Sequence, residues 1–399
     1  ATQRHWGRGR SSHGSERAHT HCGMRVLCMR LLRRLPGHVP AAKRVFRCAA
    51  ALRQEATIVE AGADFMHDID VGSLYCHNAE VCLLIGGKLC SQVQHEGRNK
   101  QVLNDLRAAL VDGGFFFLRN TTLDKDKKKL AKLFGHVTDF HSLPDEAKAP
   151  LAVPAEHEGD ALLSGWVALG KDVSHSNTLA AHNEILDVVR GDEKWPEEGV
   201  KGSFRMDISE CHDKLDYIAK ELIVAVEKTF GLDSGSFDFL HKDGGKGMCT
   251  RLRLQRFRGV GGLAELSKAR EGWGVGEMTD CGLFTIWVQD APGGLQVQDN
   301  EGTWHTIKVG PERLVVLVGS MLETITNGAI TAARHRIVPT ESDVNVLELS
   351  VVLHEHAEVE PHSDLVDEGQ PVYAKTTQKE QIMKHYNSTD DVPFRSGRF

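Results

Sequence analysis

Residues Trp273 to Val297 read WGVGEMTDCGLFTIWVQDAPGGLQV, and this stretch decides the fold class. Met278-Thr279-Asp280 precedes an apolar run, Cys281 to Val288, and Pro292-Gly293-Gly294 then turns the chain into Leu295-Gln296-Val297. The pattern predicts two strands around a turn. Alternate strand side chains share a face, so Met278 and Asp280 are expected to point one way and Thr279 the other.

Further strands are expected on both sides of it. Thr250–Phe257 (TRLRLQRF) alternates as a half-buried strand does, and short runs follow at Leu283–Val288, Leu295–Gln298, Thr303–Val309, Leu314–Val318, Arg334–Val338 and Val346–His354. Many short strands between Gly/Pro turns indicate a sandwich or jelly roll. Upstream, Val102–Leu110, Leu123–Phe140 and Cys211–Phe230 carry the helical period, the last ended by Gly231, while residues 150–205 read as loop-rich. The predicted fold is mainly β with α, a double-stranded β-helix (jelly roll) with an N-terminal helical layer. Its parts are a basic segment 1–56, a helical region 57–205, a jelly-roll domain 206–361 and a C-terminal extension 362–399.

Composition narrows the function classes. Residues 1–56 hold twelve of the 48 Lys and Arg but two of the 55 acids, leaving a body near −17. Phosphate binding needs a basic surface, so the body is a poor nucleic-acid partner. No apolar run approaches the roughly 20 residues of a membrane span. Nine cysteines without CxxC spacing argue for reduced thiols and an intracellular setting, cytoplasmic or mitochondrial. From Met24 the basic segment is Arg-rich and nearly free of acids, which fits an organellar transit peptide or a disordered basic tail.

The order of pieces from Ile69 to Tyr386 resembles the isopenicillin N synthase-like branch of the Fe(II)/2-oxoglutarate-dependent oxygenases. The resemblance rests on Gly114-Phe115-Phe116, on Leu143-Pro144-Asp145-Glu146-Ala147-Lys148, and on Gln289-Asp290-Ala291-Pro292-Gly293-Gly294-Leu295-Gln296-Val297. Leu322 to Gly328, Arg334 to Val338 and Val359-Glu360-Pro361 continue it. It implies a non-haem iron dioxygenase that oxidises a small organic substrate. Two His and one Asp would hold Fe(II) on one face of an octahedron, leaving positions for 2-oxoglutarate and O2. A Tyr and an Arg-x-Ser pair would hold the distal carboxylate of 2-oxoglutarate.

On that resemblance the metal positions are Met278, Asp280 and His335, and the co-substrate positions are Phe257, Glu348 and Ser350. Met278 falls where the first His is expected, and a thioether suits Cu(I) or haem iron better than Fe(II). Glu348 stands at the Arg position, placing an anion opposite a carboxylate. Phe257 stands at the Tyr position and Gln255 at an Asn. Glu277 should face away from the metal, and His305 is a more distant substitute ligand. Arg253, Arg256 and Arg334 are candidate substitute cations. The cofactors implied are Fe(II) and 2-oxoglutarate. An oxygenase with an unconventional site and a non-catalytic binding protein both remain open.

Three weaker signals complete the reading. His354-Glu355-His356 suits an exposed strand end better than a metal pair. His182-Asn183-Glu184 suits a surface loop better than a substrate contact. Gly244–Gly247 is not a P-loop, because no GxxxxGK[ST] is present. The sequence gives no oligomeric state.

Overall fold

The alternation along Thr250–Phe257 is realised in a large sheet of the computed structural model, which describes residues 66–71, 92–153, 163–172, 181–233, 235–241, 247–262, 274–366 and 371–388. The first half contains β1 (Asp68–Asp70), α1 (Gln92–Asp112), β2 (Phe115–Arg119), α2 (Lys127–His141), α3 (Asp145–Lys148), β3 (Gly165–Val167), β4 (Asn183–Val189) and α4 (Phe204–Phe230). Next come β5 (Met248–Phe257), β6 (Val275–Met278), β7 (Phe284–Gln289), β8 (Leu295–Gln298), β9 (Trp304–Thr306) and β10 (Leu314–Val318). The chain continues through α5 (Ser320–Ile325), β11 (His335–Ile337), β12 (Val344–Leu353), β13 (Glu358–Val359), β14 (Thr376–Thr377) and α6 (Gln378–Ser388). The basic segment lies outside the described residues, which all belong to one contact unit, Ala56–Phe399.

Among the described residues an eight-stranded sheet runs β1-β2-β10-β7-β12-β5-β4-β3 and a four-stranded sheet runs β6-β11-β8-β9. β12 lies between β5 and β7, antiparallel to both, with Glu348 opposite Arg253 and Trp287, and Ser350 opposite Arg251 and Thr285. Directly opposed residues share a face. Leu347, Leu349 and Val351 therefore turn outward into a core with α2 and α4, where Leu133, Val137, Phe140, Leu215 and Ile218 are buried. Val346 turns inward with Phe117, Trp287 and Val315, meeting Val275, Met278, Leu295, Val297 and Ile337 of the smaller sheet. This is the jelly roll: two facing, unclosed sheets with helices on the outer side of the larger one.

Local chemistry sets several boundaries. Thr121 Oγ1 donates to Asp124 at 2.6 Å, and the Asp126 carboxylate accepts from Lys129 N at 3.0 Å, so α2 starts at Lys127 rather than Leu123. α4 begins at Phe204, earlier than the expected Cys211, and ends at Gly231, which takes the left-handed conformation at φ 68°. The Gly-Gly turn has a steric cause. A Cβ on Gly294 would lie 1.7 Å from the Val338 carbonyl oxygen, where β8 and β11 meet. Gly114 is equally constrained, at φ +67° and 1.8 Å from the Thr331 carbonyl oxygen.

The largest departure from expectation is in residues 150–205, where β3 and β4 extend the main sheet. β4 is buried along its whole length, so His182-Asn183-Glu184 is not a surface loop. Its polar residues disguise it, because each has a partner. Glu184 turns outward and accepts from Trp166 Nε1 at 2.8 Å and from Lys148 Nζ, with His141 Nδ1 3.5 Å away. Lys148 is 2% exposed and also lies over the Trp166 ring, 5.1 Å from its centroid. The last Lys of the Leu143–Lys148 motif thus pins α3 to β4. The C-terminal extension returns to the same body: Gln378 donates to the Cys281 carbonyl at 2.7 Å and accepts from Leu353 N at 3.0 Å.

Burial would raise the Glu184 pKa, but the adjacent His141 ring and the hydrogen bonds from Lys148 and Trp166 bring it down to about 2. A carboxylate held below its unfolded value stabilises the fold above that value, and the contribution disappears as pH falls toward 2. The difference from 4.5 corresponds to about 3 kcal/mol. Lys148→Met should cost about 3–5 kcal/mol by leaving a buried anion unpaired. Urea unfolding of the wild type and Lys148→Met at pH 7 and pH 3 checks this, with the gap between them narrowing at the lower pH.

Candidate functional site

The inward face of the large sheet becomes polar where β5, β7 and β12 run together, next to the mouth formed by β6 and β11. His335 opens β11 and sits directly opposite Met278, the last residue of β6. Both side chains are largely buried, at 6% and 7% exposure. His335 Nδ1 lies 3.0 Å from the Ala333 carbonyl, which can only accept, so Nδ1 carries the proton. In the neutral ring Nε2 then presents its lone pair, 3.8 Å from Asp280 Oδ1.

Asp280 reaches this point by a different route from the expected strand alternation. β6 stops at Met278, and the backbone bends so that the Asp280 carbonyl accepts from Ser320 N at 2.7 Å. Its carboxylate accepts from Thr285 Oγ1 of β7 at 2.6 Å. Asp280, His335 and Met278 are thus brought together. Glu277 points outward, to Arg334 at 2.9 Å and Arg336 at 3.5 Å. His305 faces the interior but is two strands from His335, with Val297 between them. Two strand spacings are about 10 Å, too far for a shared ligand sphere. Its Nε2 is instead 2.6 Å from Asp299.

The other sequence-selected residues divide. Glu348 and Ser350 lie together: Ser350 Oγ donates to Glu348 at 3.0 Å, and Gln255 Nε2 donates to the other Glu348 oxygen. Burial raises the Glu348 pKa, and the nearby Asp280 charge adds to the rise while Arg253 and Arg251 oppose it. Phe257 is four positions further along β5 than Arg253, about 13 Å by strand rise. It packs on Trp287 with ring centroids 5.7 Å apart and on His182 at 5.1 Å. Burial lowers the His182 pKa to about 4, so this ring is neutral at pH 7.

None of the three expected substitute cations points to the site unpaired. Arg253 faces inward but donates from Nε and Nη2 to Asp187 at 2.8 and 2.9 Å, with Asp172 3.6 Å away. Arg256 turns to the opposite face, to Asp343 and Ser142. Arg334 is bonded to Glu277. The cation beside Ser350 is Arg251, whose Nη2 donates to Ser350 Oγ at 3.4 Å. Alternation along TRLRLQRF could have selected it, since Arg251 shares a face with Phe257.

Two family models match the chain: the non-haem dioxygenase N-terminal region over residues 89–198 and the 2OG-Fe(II) oxygenase superfamily over residues 254–353. The chain belongs to the 2OG-Fe(II) oxygenase superfamily. This family uses Fe(II) and 2-oxoglutarate and acts on small molecules. A 2-oxoglutarate-dependent dioxygenase of Aspergillus rugulosus is 25% identical over 264 residues, 60% of this chain and 75% of the relative. A proline hydroxylase of Petromyces alliaceus is 25% identical over 258 residues, 60% of this chain and 76% of the relative. Among solved structures, a full-length Neurospora crassa protein in complex with alpha-KG and thymine superposes with a TM-score of 0.64 at 20% identity, covering 84% of this chain and all of that one.

Among the described residues no three His, Cys, Asp or Glu side chains are grouped to hold a metal ion. Asp280, His335 and Met278 offer one carboxylate, one imidazole and one thioether. His354-Glu355-His356 follows β12, with His356 exposed and 3.1 Å from Glu355. No helix among the described residues is long and apolar enough to cross a membrane.

The Arg253–Asp187 pair is buried, with side chains 5% and 6% exposed, and ties β5 to β4 beneath the site. Arg253→Met should cost about 3–5 kcal/mol by stranding Asp187. Arg253→Met with Asp187→Leu should recover much of that loss, as a double-mutant cycle in urea would read.

Proposed function

We propose that this chain is a ligand-binding member of the 2OG-Fe(II) oxygenase superfamily that does not hold Fe(II) through three protein side chains. The observation that carries the reading is Met278, directly opposite His335 at the point where Asp280 also arrives. A thioether in that place is a soft, neutral donor and a poor third ligand for Fe(II). Two further residues agree with it. Glu348, at the position of the family's carboxylate-binding Arg, is held by Gln255 and Ser350 and would repel an anion when ionised. Phe257, at the Tyr position, offers no hydroxyl. The jelly roll and its polar interior are retained, so binding without oxidation is the function that these residues support.

One observation favours a second reading, an oxygenase with a two-ligand iron site. His335 Nε2 and Asp280 Oδ1 are 3.8 Å apart, close enough to share one ion. The remaining positions would then belong to solvent and substrate. In either reading Cys211, Cys249 and Cys281, which are unpaired, agree with an intracellular setting.

Anaerobic titration with Fe(II), followed by calorimetry or by metal analysis after gel filtration, separates the readings. The wild type should retain no stoichiometric iron, whereas Met278→His should gain a tight site. Retention of one Fe(II) per wild-type chain, with decarboxylation of 2-oxoglutarate, would overturn the proposal.

A further inference from the structure

We infer that Met278, His335 and Asp280 form a binding site for a soft monovalent metal ion, Cu(I). The inference names a ligand for the corner whose poor match to Fe(II) was argued above, and it rests on that reading.

Strand pairing places the donors. Met278 and His335 are directly opposed across β6 and β11, so their side chains share the inward face, with Cβ atoms about 5 Å apart. An ion between them is within reach of the thioether and of Nε2 of the ring. Asp280 Oδ1 comes to 3.8 Å from the same Nε2, and its partly exposed carboxylate gives an ion a way in.

Groups behind the donors hold them as ligands. His335 Nδ1 gives its proton to the Ala333 carbonyl at 3.0 Å, which leaves Nε2, facing Asp280, as the acceptor of the ring. Asp280 Oδ2 accepts from Thr285 Oγ1 at 2.6 Å, which leaves Oδ1 toward the ring. Outer partners of this kind fix the tautomer of a metal-bound imidazole and orient a metal-bound carboxylate.

Softness and charge then select the ion. A thioether binds soft ions and competes poorly for hard ones, so Met278 favours Cu(I) over Fe(II), Mg(II) or Ca(II). Charge leads to the same choice. Asp280 supplies one negative charge, and a thioether and an imidazole supply none. A monovalent ion is thereby neutralised, whereas a divalent one would keep a net positive charge. Val275, Val297 and Ile337 lie beside the pair in the apolar inner cluster, where uncompensated charge is costly. These side chains offer no oxygen or nitrogen for the further positions of an octahedral ion, while Cu(I) is complete with few donors.

The test is anaerobic titration with Cu(I) from its bicinchoninate complex, on protein whose accessible thiols are alkylated so that the cysteines do not compete. The wild type should take one Cu(I) per chain, and Ag(I) should compete for the same place. Met278→Leu keeps the apolar volume. It should weaken binding about a hundredfold or more, since even an outer partner of a metal ligand is worth about ten- to hundredfold. His335→Gln should do the same. In selenomethionine-labelled protein, X-ray absorption at selenium should show a copper neighbour, and Met278→Leu should remove it. Lack of stoichiometric Cu(I), unchanged affinity in Met278→Leu, or bound copper without a selenium neighbour would overturn the assignment. Wild-type protein that retains Fe(II) would end the earlier reading, whereas protein that binds neither metal would end this one alone.

Discussion

The pairing of β12 with both β5 and β7 is the constraint on which the rest of the molecule depends. Ten residues of β12 are matched to β5, Val344 to Leu353, and six of them also to β7. Because the side-chain period is two, a slip of one residue would turn Leu347 and Leu349 into the polar interior and Glu348 and Ser350 into the helix-packed core. Burying the outward leucines against α2 and α4 therefore fixes which groups reach the site. Apolar packing on one face decides chemistry on the other.

Polar residues inside the sheet follow a second rule, that each must be satisfied by its neighbours. The outward Glu184 is met by Lys148 and Trp166, the inward Asp187 by Arg253, and the inward Glu348 by Gln255 and Ser350. These sets share the adjacent strands β4, β5 and β12, so a change in one alters what the next must accept. Glu348 illustrates the point: a carboxyl group at that place is tolerated because an amide and a hydroxyl donate to it. The inward-facing residues behave as one charge-balanced surface, and Arg251 is the member left with spare donors.

Much of this was legible in the sequence where a single physical signal dominated. Leu295–Gln298 and Leu314–Val318 were bounded as the structure has them, because an alternating stretch in the first and an apolar run in the second end sharply at turn residues. Gly231 marked the end of α4 because only a left-handed residue closes it without strain. β4 was missed because Asn183, Glu184 and Asp187 interrupt the apolar pattern on both faces, and only their partners, distant in sequence, explain their burial. At the site, the sequence selected Met278, Asp280 and His335, and in the structure Met278 stands opposite His335 with Asp280 3.8 Å from the His335 ring. It could not choose among arginines, since that choice depends on which of them a carboxylate from another strand has already claimed.

The two crowded glycines bear on heredity. At Gly294 and Gly114 a single added carbon would collide with a backbone oxygen, so no other residue can enter without moving a strand. Met278 stands under no comparable restriction, since an apolar side chain there fills a core that is already apolar. Over many generations the first kind of position is locked by geometry, and the second is held only for as long as its chemistry is needed. A lineage can therefore lose or exchange its reaction while its backbone signature stays readable. The ancestry of such a chain is recorded where its strands touch, and its present occupation must be sought elsewhere.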